Sequence, residues 1–260
     1  MSLNFVSAVI SSNTPVIKNL KVLKICLILI AGLSVLCGFG GLAIADFDKD
    51  DRAAMERVIE QYIKDNPEVL RDALIGLAEK EEQANITAGL AKVRLDEGDP
   101  IIGNVNGNLV VYEFSDYNCG YCKRMFPAIQ QLITNNLDIR VVVKEFPILS
   151  QSSLTAARAG IAAQKQHKFP AYHREMMTYR GQVNDASIMA AARTAGLDLD
   201  QLRLDMDSPT TSAIIDRTRA GAAALNLNGT PALVVGETII PGAVSFDKLQ
   251  DIINSERVKQ

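Results

Sequence analysis

The sequence predicts an α/β domain with an inserted helical subdomain, preceded by an N-terminal helical arm. Three observations carry this: a strand–helix–strand run over residues 109–146, alanine-rich helical segments over about 150–227, and a closing pair of short strands followed by a helix. With 260 residues, 48% of them hydrophobic and 22% charged, the chain can bury a real core, as one main domain plus an appendage.

Residues 1–45 read as an export signal peptide. Lys18, Lys21 and Lys24 precede an uncharged run over residues 25–45, and the small-residue triplet Ala43-Ile44-Ala45 stands just before Asp46, where cleavage is expected. The alternative is an uncleaved anchor, because 21 uncharged residues can just span a bilayer; Gly38, Gly40 and Gly41 argue for removal. The remainder carries 24 basic and 30 acidic side chains, which argues against nucleic acid as a partner. Cys26 and Cys37 leave with the signal, so Cys119 and Cys122 are the only pair expected in an oxidising, periplasmic or extracytoplasmic compartment.

Residues 46–98 form the arm. Met55, Val58, Ile59, Tyr62 and Ile63, then Val69, Leu70, Ala73, Leu74 and Leu77, recur at helical spacing. Asn66-Pro67-Glu68 marks a restart, with a cap, a proline at the first helical position and an acid in the first turn. Two or three such helices cannot cover their own apolar stripe, so they pack either on the main domain or on the same arm of another subunit.

Gly98-Asp99-Pro100 breaks the arm, and the main domain occupies residues 99–260. Residues 109–114 are a nearly continuous apolar run of strand length, as in a strand covered on both faces. Residues 119–135 read as a helix with Met125, Phe126, Ile129, Leu132 and Ile133 on its buried side, and residues 139–146 are the next β-branched run. Strand, helix and strand in that order make a right-handed parallel unit. The expected helices of the insertion span residues 155–165, 171–179, 187–195, 199–206 and 209–225. Residues 232–235 and 238–240 form a hairpin around Gly236-Glu237, and residues 244–257 close the chain as a helix.

Chemistry concentrates at Cys119-Gly120-Tyr121-Cys122. A Cys-x-x-Cys between a buried strand and a helix start places the first sulfur where backbone N–H groups and the helix dipole favour negative charge. Cys119 is therefore the expected nucleophile and Cys122, one turn along and less exposed, the resolving thiol. A metal clip is the competing use of such a pair, yet only His167 and His173 are present to complete a four-ligand zinc site; no metal and no cofactor are expected. Glu113 interrupts an apolar strand six residues before Cys119. It is expected either to move protons for Cys122, paired with Lys144 on the neighbouring strand, or to face water at the strand end.

The strand, the acid six residues before Cys-x-x-Cys, the helical insertion and the late Gly229-Thr230-Pro231 together resemble the DsbA-like branch of the thioredoxin superfamily, over roughly residue 99 to the end. The resemblance implies a thioredoxin fold, thiol–disulfide oxidoreductase activity on cysteine-containing exported proteins, and a partner protein that resets the pair. It also implies a cis bond at Thr230-Pro231 lying against the cysteines, where flanking backbone pairs with substrate peptide. Gly120-Tyr121 stands where strongly oxidising members have Pro-His, which predicts a less extreme thiolate and a less oxidising couple. The Cys-Gly-Tyr-Cys motif, the Lys144-Glu145-Phe146-Pro147-Ile148-Leu149 segment and the Asn66-Pro67-Glu68 arm look like the ScsC-like subgroup, which implies a homo-oligomer through the N-terminal helices. Two other readings remain at this stage: a copper-binding, metal-tolerance protein of the same fold, holding Cu(I) with two thiolates, and a chaperone-like module in which the pair is incidental.

Overall fold

The structure, a computed structural model, describes residues 48–259, so the signal peptide expected over residues 1–45 lies outside the described residues. Contacts divide the chain into two units after Leu70. The first unit holds helix α1 (Lys49–Asp65) and the start of α2 (Pro67–Val93). Asp48 caps α1 by accepting from Asp50 N and Asp51 N, both at 2.8 Å. Among the described residues none of α1 is buried, and Met55, Val58, Ile59 and Tyr62 all stand exposed.

The second unit is built on a five-stranded sheet. Its strands are β1 (Ile101–Gly103), β2 (Leu109–Ser115), β3 (Ile139–Glu145), β4 (Ala232–Val235) and β5 (Thr238–Pro241), in spatial order β1-β3-β2-β4-β5. Strands β2 and β3 are parallel and are joined through α3 (Gly120–Asn135); the other pairings are antiparallel. The expected strand–helix–strand unit is therefore the centre of the sheet, with the closing hairpin added beside β2. Helices α4 (Gln151–Lys165), α5 (Phe169–Thr178), α6 (Asp185–Thr194), α7 (Leu199–Met206) and α8 (Pro209–Ala224) lie between β3 and β4 in sequence, and α9 (Phe246–Val258) ends the chain.

Alternation along the strands sorts side chains to two faces. Val111, Val141, Val143, Leu233 and Val235 pack with Met125, Ile129 and Leu132 of α3 and with Leu249 and Ile253 of α9. Tyr112, Phe114, Val142, Ala232 and Val234 pack with Leu90 and Val93 of α2 and Ala222 of α8. The C-terminal end of the apolar stripe on α2 is thus covered by the sheet. In the insertion, α4 buries Ala156, Ala157, Ala159, Ala162 and Ala163, small side chains that let neighbouring helices approach. It begins four residues ahead of the start expected from periodicity, because the Ser150 hydroxyl caps it by accepting from Ser153 N at 3.1 Å.

The segment entering the domain is clamped by charge. Asp99 and Lys144, both buried, form an ion pair at 2.5 Å; Arg217 donates to the same carboxylate at 3.0 Å, and Lys144 also donates to Leu95 O at 2.9 Å. Lys144 therefore pairs with Asp99 and not with Glu113. The register explains why: Glu113 stands opposite Val143, so Lys144, one residue on, points to the other face of the sheet.

Candidate active site

Strand β2 ends at Ser115 and the chain turns at once into α3. Asp116 organises that turn. Its carbonyl accepts from Cys119 N at 2.9 Å, one carboxylate oxygen accepts from Asn118 N at 2.8 Å, and the other accepts from Ile148 N at 3.0 Å and Leu149 N at 3.1 Å. Cys119 is thereby placed as the N-cap of α3, with extended backbone, and its Sγ accepts from Cys122 N at 3.4 Å. A sulfur at this position satisfies an amide that the first helical turn leaves unpaired, and the helix dipole favours its charge.

Pairing of β2 with β4 brings in the second component. Phe114 stands opposite Ala232, which puts Pro231 beside the end of β2, where the cysteine turn begins. Thr230-Pro231 is a cis peptide, and Cys119 Sγ lies 3.1 Å from Thr230 O, to which it donates when protonated. These two segments, 111 residues apart in sequence, thus meet as the family resemblance implies. Cys119 keeps 5% of its surface exposed and Cys122 none, the order expected of an attacking and a resolving thiol. Gly120 opens the helix, and Tyr121 is 61% exposed at the rim, with the Arg124 guanidinium 4.1 Å over its ring. Lys123 donates to Tyr179 O at 2.9 Å.

Hydrogen bonding ionises one sulfur at the other's expense. The Cys122 thiol donating to it, with help from the backbone N–H groups of Tyr121 and Cys122, lowers the Cys119 pKa to about 5 against the opposing effect of burial. The same bond, together with burial, raises that of Cys122. Such a pair holds a nucleophilic thiolate at neutral pH next to a protonated partner.

Glu113 is buried, 2% exposed, not a strand-end acid facing water. Burial raises its pKa to about 7, and its charge acts on Cys122. Among the described residues no partner reaches Glu113 Oε2 or Thr230 Oγ1. Sequence reasoning missed Tyr117, Glu145 and His173 as a group: Tyr117 Oη donates to Glu145 Oε1 at 2.8 Å and lies 3.1 Å from His173 Nδ1, all three side chains being buried. The signal was present in part, since Glu145 ends an apolar strand much as Glu113 interrupts one. His167 is exposed and His173 buried, and among the described residues no three His, Cys, Asp or Glu side chains gather as a metal site.

Comparison with known proteins agrees with this geometry. The chain is 39% identical to a thioredoxin-like oxidoreductase from Silicibacter pomeroyi DSS-3, a match that covers 64% of this chain and 96% of that one with a TM-score of 0.62. The catalytic domain of Proteus mirabilis ScsC matches at 28% identity, covering 66% and 97%, with a TM-score of 0.60. A periplasmic thioredoxin-like protein from Salmonella enterica serovar Typhimurium matches at 29%, covering 65% and 95%, with a TM-score of 0.58. Among curated sequences, a Na(+)/H(+) antiporter NhaA 1 of Salinispora arenicola is 26% identical over 159 residues, 60% of this chain; the chain spans about a quarter (24%) of that relative's length. Among the described residues no helix is long and apolar enough to cross a membrane. The DsbA-like thioredoxin domain family matches residues 110–254, more than half of the sequence, and the chain belongs to that family.

Proposed function

We propose that this chain is an exported thiol–disulfide oxidoreductase acting on cysteine-containing proteins outside the cytoplasm through Cys119 and Cys122. The observation that carries the reading is Cys119 Sγ at the helix N-terminus, 3.4 Å from Cys122 N and 3.1 Å from the carbonyl that precedes cis-Pro231. In the reducing direction the Cys119 thiolate attacks a client disulfide, forming a Cys119–client bond and releasing the other client sulfur as a thiolate. Glu113 takes the Cys122 proton, and the Cys122 thiolate attacks Cys119 Sγ. The second client sulfur leaves, the Cys119–Cys122 disulfide forms, and two electrons have passed to the client. Run backwards, the same steps donate a disulfide. Thr230, Pro231 and the flanking backbone receive the client peptide, and a separate redox protein resets the pair.

Residues 46–98 serve in this reading as an oligomerisation arm on the catalytic domain over residues 99–260. The exposed apolar side chains of α1, with Val69, Leu70, Leu74 and Leu77 of α2, support a second copy of the arm as their cover. Catalytic reduction of insulin by the intact protein, lost in Cys119→Ser, tests the activity. The in-cell state of the pair separates the directions, mostly oxidised for an oxidase and mostly reduced for an isomerase or reductase. Failure to reduce insulin combined with tight Cu(I) uptake would replace this reading with metal binding.

A further inference from the structure

The Tyr117–Glu145–His173 cluster lies outside the thiol-exchange steps, yet it is the most completely buried polar assembly beneath the cysteine turn. Tyr117 belongs to that turn, two residues before the nucleophile; Glu145 ends β3 and His173 lies in α5. A phenol has one proton, so donation to Glu145 makes Tyr117 Oη the acceptor for His173 Nδ1–H. The His173 ring also packs against Phe126 of α3, with centroids 5.5 Å apart, and against Phe169 at 5.0 Å. The cluster therefore touches both the turn that presents Cys119 and the helix that Cys119 caps. A second, independent feature belongs to it. Gly160, in the middle of α4, leaves space for the carboxylate: a Cβ there would come within 2.5 Å of Glu145 Oε1 and 3.1 Å of Tyr117 Oη. A mid-helix glycine weakens a helix, so the fold accepts a local loss where the triad sits.

We propose that Tyr117, held by Glu145 and His173, is a positioning residue that fixes the Asp116–Cys119 turn and thereby sets how strongly the helix N-terminus stabilises the Cys119 thiolate. The bond from Cys122 N to Cys119 Sγ, 3.4 Å long, is made only while the turn holds the sulfur at the N-cap, so rotation of the turn weakens it. Releasing Tyr117 loosens that bond, destabilises the thiolate and makes the couple more reducing, because a stabilised reduced form is what makes such a pair oxidising. The titratable groups acting on the triad are Glu113 from β2, Asp116 from the turn, Tyr172 from α5 and Asp99 from the segment before β1. The titratable group acting on Cys119 is Cys122, on which Glu113 acts in turn, with Lys123 and Arg124 turned toward Tyr179 and Tyr121.

This inference rests on the oxidoreductase reading for its consequence but not for its measurement. Thiolate absorbance of Cys119 against pH, and the equilibrium of the pair with glutathione, are compared for wild type, Tyr117→Phe, Glu145→Gln and His173→Phe. Tyr117→Phe should raise the thiolate midpoint by about one pH unit and shift the glutathione equilibrium about tenfold toward the protein disulfide. His173→Phe, which keeps an aromatic ring between Phe126 and Phe169 and removes one partner only, should move both readouts in the same direction by a smaller amount. Glu145→Gln still accepts from Tyr117 and should stay within about twofold of wild type. Folded Tyr117→Phe and His173→Phe with an unchanged midpoint and equilibrium, whatever their melting temperatures, would overturn the proposal; if Tyr117→Phe fails to fold, His173→Phe decides. A wild-type protein that never equilibrates with glutathione would instead strike the oxidoreductase reading, and the thiolate titration would still judge the triad.

Discussion

Replacing Glu113 with glutamine should change the pH dependence of stability by an amount the structure allows one to work out. The carboxyl is 2% exposed, and burial moves its pKa from 4.5 to about 7. Between those values the unfolded chain gives up the proton while the folded chain keeps it. The folded state therefore binds more protons, and stability falls as pH rises. The slope is about 1.4 kcal/mol per pH unit, about 3 kcal/mol in all; the contribution is intact below pH 4.5 and lost once the pH has passed 7. Glutamine does not titrate, so the stability of Glu113→Gln relative to wild type should rise by about 3 kcal/mol from pH 4.5 to pH 8. Urea unfolding of both reduced proteins at several pH values measures this, and subtraction largely removes what other acids contribute. Parallel stability–pH curves would refute the reasoning, because they would mean that Glu113 is solvated or already ionised in the fold. The same variant should slow the attack of Cys122 on the mixed disulfide by about a hundredfold, the usual contribution of a general base.

Cys122→Ser should accumulate a covalent Cys119–client complex, visible on a non-reducing gel and absent in Cys119→Ser; equal trapping by both would reverse the assigned roles. Asp99→Asn should destabilise the domain by about 3–5 kcal/mol, because Lys144 is left charged and buried. The double variant Asp99→Leu with Lys144→Met should recover most of that loss, and denaturant unfolding that finds the double variant as weak as the single would contradict it.

Much of the fold was legible because its determinants are local. The apolar runs of β2 and β3, the amphipathic period of α3 and the Asn66-Pro67 restart each depend on neighbours within a turn or a strand, so the amino-acid order alone placed them. The spacing of Cys119 and Cys122 at a helix start likewise implied a lowered pKa for the first sulfur and a less exposed, resolving place for the second. Helix starts were less legible where a single hydroxyl set them, as Ser150 does for α4.

What only the tertiary structure decided are contacts between residues far apart in sequence. That Lys144 pairs with Asp99 and not with Glu113 follows from which face of the sheet each side chain occupies, a consequence of strand register. That Tyr117 meets Glu145 and His173, 28 and 56 residues away, depends on how α4 and α5 pack over the end of the sheet and on the space left at Gly160. The physical reason is one of range. Periodicity and capping act over a few residues and are written in order along the chain, whereas burial, and with it the pKa of Glu113, is a property of the surroundings that folding assembles.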